Sequence, residues 1–228
     1  MKVLVACEES QAVCKAFRAR GHEAYSCDIL PCSGGHPEWH IQQDVLPLLD
    51  GDCVFLDSTG GLHSIQGKWD MLIAFPPCTY LSNAGAARLY KVINGKTYID
   101  RARFEKGLDA KEFFMRFYTA QIEKIAIENP IPSAVYRLPK ASQMIQPYDH
   151  GHKFSKKTYL WLKGLPCLIP TNIVRPDRPF VQGGSKKSDG TPRPYKGAGA
   201  RSPKVRSKTF PGIARAMAEQ WGITDATD

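Results

Sequence analysis

Met71-Leu72-Ile73-Ala74-Phe75 is an apolar run of strand length that stops at Pro76-Pro77-Cys78. A second apolar run, Ile125-Ala126-Ile127, stops in the same way at Glu128-Asn129-Pro130. Short, continuous apolar runs indicate buried parallel strands. Open α/β sheets bind their ligands at the carboxyl ends of such strands. We therefore expect Cys78 and Glu128 to meet at one edge of a sheet.

The rest of the chain alternates between strand-like and helix-like patterns. Strands are predicted at 3–6, 22–27 and 158–162, a β-hairpin within 52–68, and helices at 12–21, 108–122 and 212–221. Ser10 is a plausible N-cap for the first helix. Segment 79–107 is long, mixed and basic, which predicts a mobile loop. The alternation of strands and helices implies an α/β fold with a mostly parallel sheet.

The charge balance favours a nucleic acid partner. The chain has 228 residues, enough for one α/β domain and a small appendage, with 31 Lys+Arg against 22 Asp+Glu and a formal net charge of +9. Ten basic residues and only two acidic ones lie between 175 and 208. A basic surface attracts phosphates, although an acidic partner or a solvated tail would also fit it.

The cysteine pattern argues against a metal site. The seven cysteines are odd in number, form no CxxC and are accompanied by no His-rich spacing. We interpret most of them, including Cys53 and Cys167, as packing thiols in a reducing compartment. The amino terminus lacks a signal-peptide pattern, and no apolar stretch approaches membrane-spanning length. These features predict a soluble, cytoplasmic protein.

Pro76-Pro77-Cys78 is suited to nucleophilic chemistry. Two prolines stiffen the backbone and give the following side chain a fixed direction, although a turn with a buried cysteine is the plain alternative. A thiol held beside a carboxylate can add to an electron-poor ring and stabilise its protonated form. An aromatic residue at this position would stack on a base. A cysteine here instead favours covalent attack on a ring.

With these two motifs the chain resembles the DNA (cytosine-5) methyltransferases, most closely the short phage-type members, for which the compartment would be the host cytoplasm. Pro77-Cys78 with Ser82 and Gly85 is similar to their catalytic motif, and Glu128-Asn129-Pro130 is similar to their Glu-Asn-Val motif, with Pro in place of Val. The resemblance covers about 1–162 and the final helix. It implies a Rossmann-like S-adenosylmethionine-dependent methyltransferase fold with helices on both faces of the sheet. It also implies a catalytic domain at 1–165, with a helix at 211–222 packing back onto it, and a reduced basic recognition segment at 166–210.

The resemblance assigns roles to four catalytic residues. Cys78 would add to carbon 6 of a flipped cytosine so that carbon 5 can attack the methyl group, and Glu128 would hydrogen-bond or protonate ring nitrogen 3. Asn129 would orient that carboxylate and the loop that holds Cys78. Lys157 would supply the positive charge for which the family uses arginine, without the forked donor set of arginine.

The resemblance also implies S-adenosylmethionine as cofactor, held at the first strand ends. Asp28 suits a ribose diol, with a solvated loop Asp as the alternative, and Asp44 suits the adenine amino group, with a helix N-cap as the alternative. The turn after the first strand lacks the glycines of the family, so close backbone approach to a ligand is not assured. The full set of expected cofactor contacts is Ala6, Cys7, Glu8, Asp28, Ile29, Asp44, Val45, Phe75 and Pro76.

Double-stranded DNA is the partner that the resemblance implies, with short or lax sequence specificity because segment 166–210 is small. The expected DNA contacts are Ser82, Arg88, Lys186, Lys187, Arg193 and Arg201. Two alternatives remain at this point. One is a non-catalytic nucleic-acid-binding protein on the same scaffold. The other is the same covalent chemistry on another pyrimidine substrate or with a modified cofactor.

Overall fold

The apolar runs become the centre of a seven-stranded sheet in the computed structural model, which describes residues 1–86, 88–181, 191, 197 and 203–223. The strands are β1 (Lys2–Ala6), β2 (Glu23–Asp28), β3 (His40–Gln42), β4 (Cys53–Leu56), β5 (Leu62–Ile65), β6 (Met71–Ala74), β7 (Tyr90–Ile93), β8 (Lys96–Ile99), β9 (Lys124–Pro130), β10 (Gln143–Ile145), β11 (Phe154–Ser155), β12 (Thr158–Lys163) and β13 (Arg178–Pro179). The helices are α1 (Ala12–Arg18), α2 (Asn83–Ala86), α3 (Arg101–Tyr118), α4 (Pro203–Ser207) and α5 (Pro211–Trp221).

The main sheet has the order β10-β12-β9-β6-β1-β2-β3. Its strands are parallel except β12, which runs antiparallel to both of its neighbours. The chain adds β2 and β3 on one side of β1, and then β6 and β9 on the other. The direction of winding therefore reverses between β1 and β6, and ligands bind outside the carboxyl ends of strands at such a reversal.

Alternation along the strands divides the core between the two faces of the sheet. In β1, Leu4 belongs to the cluster that includes Phe114 and Phe117 of α3, whereas Val3 and Val5 belong to the cluster formed with α1 and α5. Helices thus cover both faces, and the predicted α/β architecture with a mostly parallel sheet is confirmed. The carboxyl ends of β1, β2, β6 and β9 are left at one edge.

The segment between β6 and β9 differs from the sequence prediction. The helix predicted at 108–122 begins earlier and ends earlier, at Arg101–Tyr118, because the Asp100 carboxylate accepts the Arg103 N–H at 3.2 Å and caps it. Ile122 is buried beyond the helix end rather than within it. The predicted loop 79–107 instead contains α2, the β7–β8 hairpin and the first turns of α3. None of the described helices has the length and apolar character needed to cross a membrane.

Candidate active site

Cys78 and Glu128 follow neighbouring parallel strands, as expected from the sequence. β6 pairs with β9 in a register that places Ala74 opposite Ile127, so Pro76-Pro77-Cys78 and Glu128 leave the same edge of the sheet. The Cys78 thiol is half-buried. Burial raises its pKa, the negative charge of Glu128 raises it further, and the positive charges of Lys156 and Arg206 oppose the rise. The thiol therefore lies within electrostatic reach of one carboxyl and two cations.

The pKa of the Glu128 carboxyl is raised above its ordinary value. Burial raises its pKa, while the Lys156 charge and the Thr158 hydroxyl act in the opposite direction. Both of those groups belong to the segment around β12, which pairs antiparallel with β9 and places Leu160 opposite Glu128. A carboxyl that keeps its proton closer to neutral pH can donate a hydrogen bond to a ring nitrogen.

Lys156, and not Lys157, carries the positive charge in this site. Lys157 is exposed, whereas Lys156 lines a small cavity together with Glu128 and Phe75. The Lys156 backbone N–H donates to Gln146 Oε1 at 2.9 Å, and its Nζ donates to the Arg206 carbonyl at 3.0 Å. We considered both lysines from the sequence and selected Lys157. Both lysines precede β12, which begins at Thr158, and Lys156 is the less exposed of the two.

Asn129 does not make the contacts expected of it. Its side chain is fully buried, and neither its amide nitrogen nor its amide oxygen has a hydrogen-bond partner among the described residues. The link between the two strand ends is made by backbone instead. Asn83 N–H donates to the Ile131 carbonyl at 2.9 Å, and Ser133 N–H donates to the Leu81 carbonyl at 2.7 Å. These bonds fix the loop after Cys78 against the segment that follows Glu128.

Two of the expected DNA contacts are placed by the structure, and they differ. Ser82 is buried, and its hydroxyl accepts the Gly85 N–H at 3.2 Å, so it shapes the loop rather than facing a ligand. Arg88 is exposed. The remaining four expected contacts, Lys186, Lys187, Arg193 and Arg201, lie outside the described residues. Arg206 was not anticipated, because nothing in the local sequence separates it from the other basic residues of its segment.

The cavity beside Glu128 is lined in part by the segment that precedes α5. It is lined by Phe75, Glu128, Lys156 and, from that segment, Ser207, Thr209 and Phe210. Its volume is about 20 Å³, room for one water molecule.

The first three strand ends meet in a separate part of the same edge. The pKa of Cys7 is raised first by burial and then by the negative charges of Asp28 and Asp44, which places both carboxylates near it. Cys7 itself has a left-handed φ of 59°, and its N–H donates to the Cys27 carbonyl at 2.7 Å. Ile29 is 74% exposed beside Asp28. A polar and apolar surface suited to a nucleoside therefore lies at these strand ends.

Asp28 and Asp44 also make local hydrogen bonds with the backbone, which were the alternative roles considered for them in the sequence analysis. Asp28 accepts the Leu30 N–H at 2.9 Å, and Asp44 accepts the Leu46 N–H at 3.1 Å at the start of a short 3₁₀ turn. Each carboxylate uses one oxygen in these bonds and retains the other for a hydroxyl or an amino group. The pKa of Asp28 is raised by burial. Ala6, Val45 and Pro76 are buried, while Phe75 is half-buried.

Glu8 corrects our interpretation of the first turn. Its buried carboxylate accepts the Val13 N–H at 2.7 Å and the Cys14 N–H at 3.2 Å, so Glu8, and not Ser10, satisfies the first turn of α1. Burial raises the Glu8 pKa to about 7, although these two hydrogen bonds oppose the rise. A helix N-terminus normally offers its N–H groups to an anionic ligand. Here a side chain of the protein already occupies that position.

The cysteines show varied burial. Cys14 and Cys27 are buried, Cys7, Cys32 and Cys53 are intermediate like Cys78, and Cys167 is exposed. The exposure of Cys167 differs from the packing role that we expected for it. Cys167 lies in a short Pro-Cys-Leu segment after β12. This segment has no apolar periodicity, so the sequence alone could not predict the exposure of Cys167.

Comparison with known proteins finds similarity at the level of structure. A scan against protein-family models finds no match, and a search of curated proteins finds no relative. Among solved structures, the chain is similar to a protein assigned as a DNA modification methyltransferase and encoded within an E. coli prophage (TM-score 0.42, 12% identity, 77% of this chain and 52% of that chain). It is also similar to the Entamoeba histolytica methyltransferase EhMeth (TM-score 0.39, 14% identity, 76% of this chain and 57% of that chain). The chain thus spans little more than half of the length of either protein. Both similarities are found at low sequence identity.

Proposed function

We propose that the protein is an S-adenosylmethionine-dependent DNA cytosine-5 methyltransferase that works through a covalent cysteine adduct. The observation that carries the proposal is the meeting of a thiol, a carboxyl and a cation at the ends of two adjacent parallel strands: Cys78, Glu128 and Lys156. Carbon 5 of cytosine is a weak nucleophile, and thiolate addition at carbon 6 makes it strong enough to accept a methyl group.

Each of the three groups has a distinct part in that chemistry. The Cys78 thiolate bonds to carbon 6, and the Glu128 carboxyl donates its proton to ring nitrogen 3, so that no negative charge builds up on the ring. Lys156 stabilises the thiolate before attack, because its charge lowers the pKa of Cys78. Once the methyl group is on carbon 5, a base removes the proton from that carbon, the bond from carbon 6 to sulfur breaks to release the Cys78 thiolate, and ring nitrogen 3 returns its proton to Glu128.

The cofactor pocket fits one half of S-adenosylmethionine better than the other. Asp28, Asp44 and Ile29 offer acceptors and an apolar surface to the nucleoside. At the first turn, where the amino acid carboxylate would meet helix N–H groups, Glu8 already accepts them. When bound, the cofactor supplies the methyl group. We infer that it is held mainly through its adenosine.

The adduct tests the proposal directly. Duplex DNA with 5-fluorocytosine at cytosine positions should form a denaturation-resistant complex with the wild type in the presence of cofactor, because fluorine blocks release of the thiol. Cys78→Ala should form none. Cys53→Ala is the matched control, since Cys53 is half-buried like Cys78 and lies in the β4–β5 pair outside the main sheet. Mass spectrometry of nucleosides from treated DNA would identify the transferred group.

A non-catalytic nucleic-acid-binding protein is the second candidate. The occupied helix N-terminus at Glu8 and the water-sized cavity beside Glu128 favour it. Calorimetry separates the two functions. Heat of binding for S-adenosylhomocysteine that is lost in Asp28→Ala supports the enzyme. No binding by the wild type, together with an intact affinity for DNA, supports the second candidate.

A further inference from the structure

A groove beside α1 is lined by basic and aromatic side chains. Its volume is about 490 Å³, within the roughly 300–1,000 Å³ of small-molecule sites. Among the residues that the structure describes, its lining consists of Lys15, Arg18, Ala19, Gly21, His22, His36 and Trp39. None of these seven is acidic, two are permanent cations and two are histidines. The groove therefore suits an anionic ligand.

This groove lies away from the candidate active site. Gly21 and His22 come just before β2, and Trp39 comes just before β3, so the groove lies toward the amino ends of these two parallel strands. Cys78 and Glu128 lie instead at the carboxyl ends of β6 and β9, which run parallel to β2 in the same sheet. A ligand in the groove therefore leaves the place of the proposed chemistry free.

The two cations of the groove are held by backbone carbonyls rather than by carboxylates. Lys15 Nζ donates to the Gly34 carbonyl at 2.9 Å, and Arg18 Nε donates to the Ala24 carbonyl at 2.7 Å. Neither cation forms a salt bridge with any residue that the structure describes. An ammonium and a guanidinium each carry several donors, so both retain N–H groups for a ligand. Cations that are fixed in direction and not neutralised are suited to a phosphate.

Aromatic rings form a stack along the same groove. The Arg18 guanidinium lies 4.8 Å from the centroid of the Tyr25 ring and 5.1 Å from that of Trp39. The His36 ring stacks on Trp39, with the centroids 3.9 Å apart and the planes at 7°. The His36 side chain is 40% exposed, and its Nδ1 lies 3.0 Å from a Glu38 carboxylate oxygen. A planar base can extend such a stack, since every base has a π-face.

We propose that this groove is a second binding site, which takes the phosphate and the base of a nucleotide. Lys15 and Arg18 contact the phosphate, and the base extends the stack of His36 and Trp39. A free mononucleotide and one nucleotide of a single strand share this chemistry. The site goes beyond the methyl transfer proposed above, because it uses none of the residues assigned to that reaction or to its cofactor.

Trp39 gives the site an optical signal of its own. All four tryptophans of the chain lie among the described residues, and Trp69, Trp161 and Trp221 are buried whereas Trp39 is half-buried. Titration with adenosine monophosphate (AMP) should quench the fluorescence of the wild type in a saturable way. Trp39→Phe should lose this signal. Adenosine should bind about tenfold more weakly than AMP, because it lacks the phosphate.

Lys15→Gln tests the phosphate contact. It should weaken AMP binding about tenfold in calorimetry and leave the binding of adenosine unchanged. Lys140→Gln is the matched control, because Lys140 is exposed and precedes β10, at the opposite edge of the main sheet from β3. It removes the same charge and should leave both affinities unchanged. Thermal unfolding checks that both variants fold.

Equal AMP affinity in Lys15→Gln and Lys140→Gln would overturn the proposal. So would AMP binding that saturating S-adenosylhomocysteine prevents, because the nucleotide would then lie at the strand ends near Asp28. Inorganic phosphate that competes as well as AMP would reduce the groove to an anion site and reject the nucleotide. With AMP bound as expected, displacement by a single-stranded oligothymidylate at a lower nucleotide concentration identifies a strand as the ligand, and failure to displace identifies the free nucleotide.

Discussion

The burial of Glu128 suits the proposed chemistry but lowers the stability of the folded protein at neutral pH. Burial raises its pKa, so the folded state holds its proton more tightly than the unfolded chain does. For a carboxyl with a raised pKa, this contribution to stability is present at low pH and is lost as pH rises through the folded pKa. At neutral pH the wild type carries the cost of this buried carboxyl.

We therefore expect Glu128→Gln to be more stable than the wild type at neutral pH and inactive in methyl transfer. Glutamine keeps the shape of the side chain without an ionisable group. The gain should vanish below about pH 4.5, the ordinary pKa of the group. Urea unfolding at several pH values measures it. Equal stability of the two proteins at all pH values would mean that Glu128 is not desolvated.

The charge of Lys156 should be measurable through the thiol it faces. Lys156→Met removes a cation that lowers the Cys78 pKa, so alkylation of Cys78 by iodoacetamide should slow at a given pH. Lys157→Met is the control, because Lys157 is exposed. Peptide mass spectrometry distinguishes Cys78 from the other cysteines. Slowing in both variants alike would point to a general loss of positive charge.

At the scale of elements, α1 depends on the carboxylate of Glu8 for its first turn. The Glu8 pKa is raised to about 7 by burial. The folded state thus binds more protons than the unfolded chain between about pH 4.5 and pH 7, and stability should fall as pH rises across this window.

We expect Glu8→Gln to remove that part of the pH dependence, which amounts to at most about 3 kcal/mol. Glutamine still has one oxygen that can accept an α1 N–H. Glu9→Gln is a neighbouring control on the same turn. Unfolding free energies at pH 5 and pH 7 provide the comparison, and an unchanged difference between them in Glu8→Gln would assign the dependence to another group.

Across the whole molecule, the sequence was informative where a pattern has a local cause. Strands β1, β6, β9 and β12 were found from short apolar runs, and the meeting of Cys78 with Glu128 followed from their order in the sheet. Features set by distant contacts were missed. Gly107, the last residue of the predicted loop, lies inside α3, where a Cβ would overlap the Tyr136 ring, so this glycine is a packing requirement. The choice between Lys156 and Lys157 depended on contacts of Lys156 with the distant residues Gln146 and Arg206.

The closing helix makes the two ends of the chain interdependent. Ile213, Met217 and Trp221 of α5 are buried, and they pack in one cluster with Val3 and Val5 of β1. Each such side chain contributes about 1.5–3 kcal/mol by burial, so the three together approach the roughly 5–15 kcal/mol net stability of a domain. A fragment of residues 1–165, which lacks this helix, should therefore not fold alone.

The interdependence is tested within the full chain. Met217→Ala should lower the free energy of unfolding by about 2–5 kcal/mol, since it removes buried methylenes and leaves a cavity. Arg215→Ala, at an exposed position on the same helix, should change it little. Urea unfolding measures both. A cooperative transition in fragment 1–165, or a loss in Met217→Ala no larger than in Arg215→Ala, would show that the sheet holds its own core and that α5 is an accessory to it.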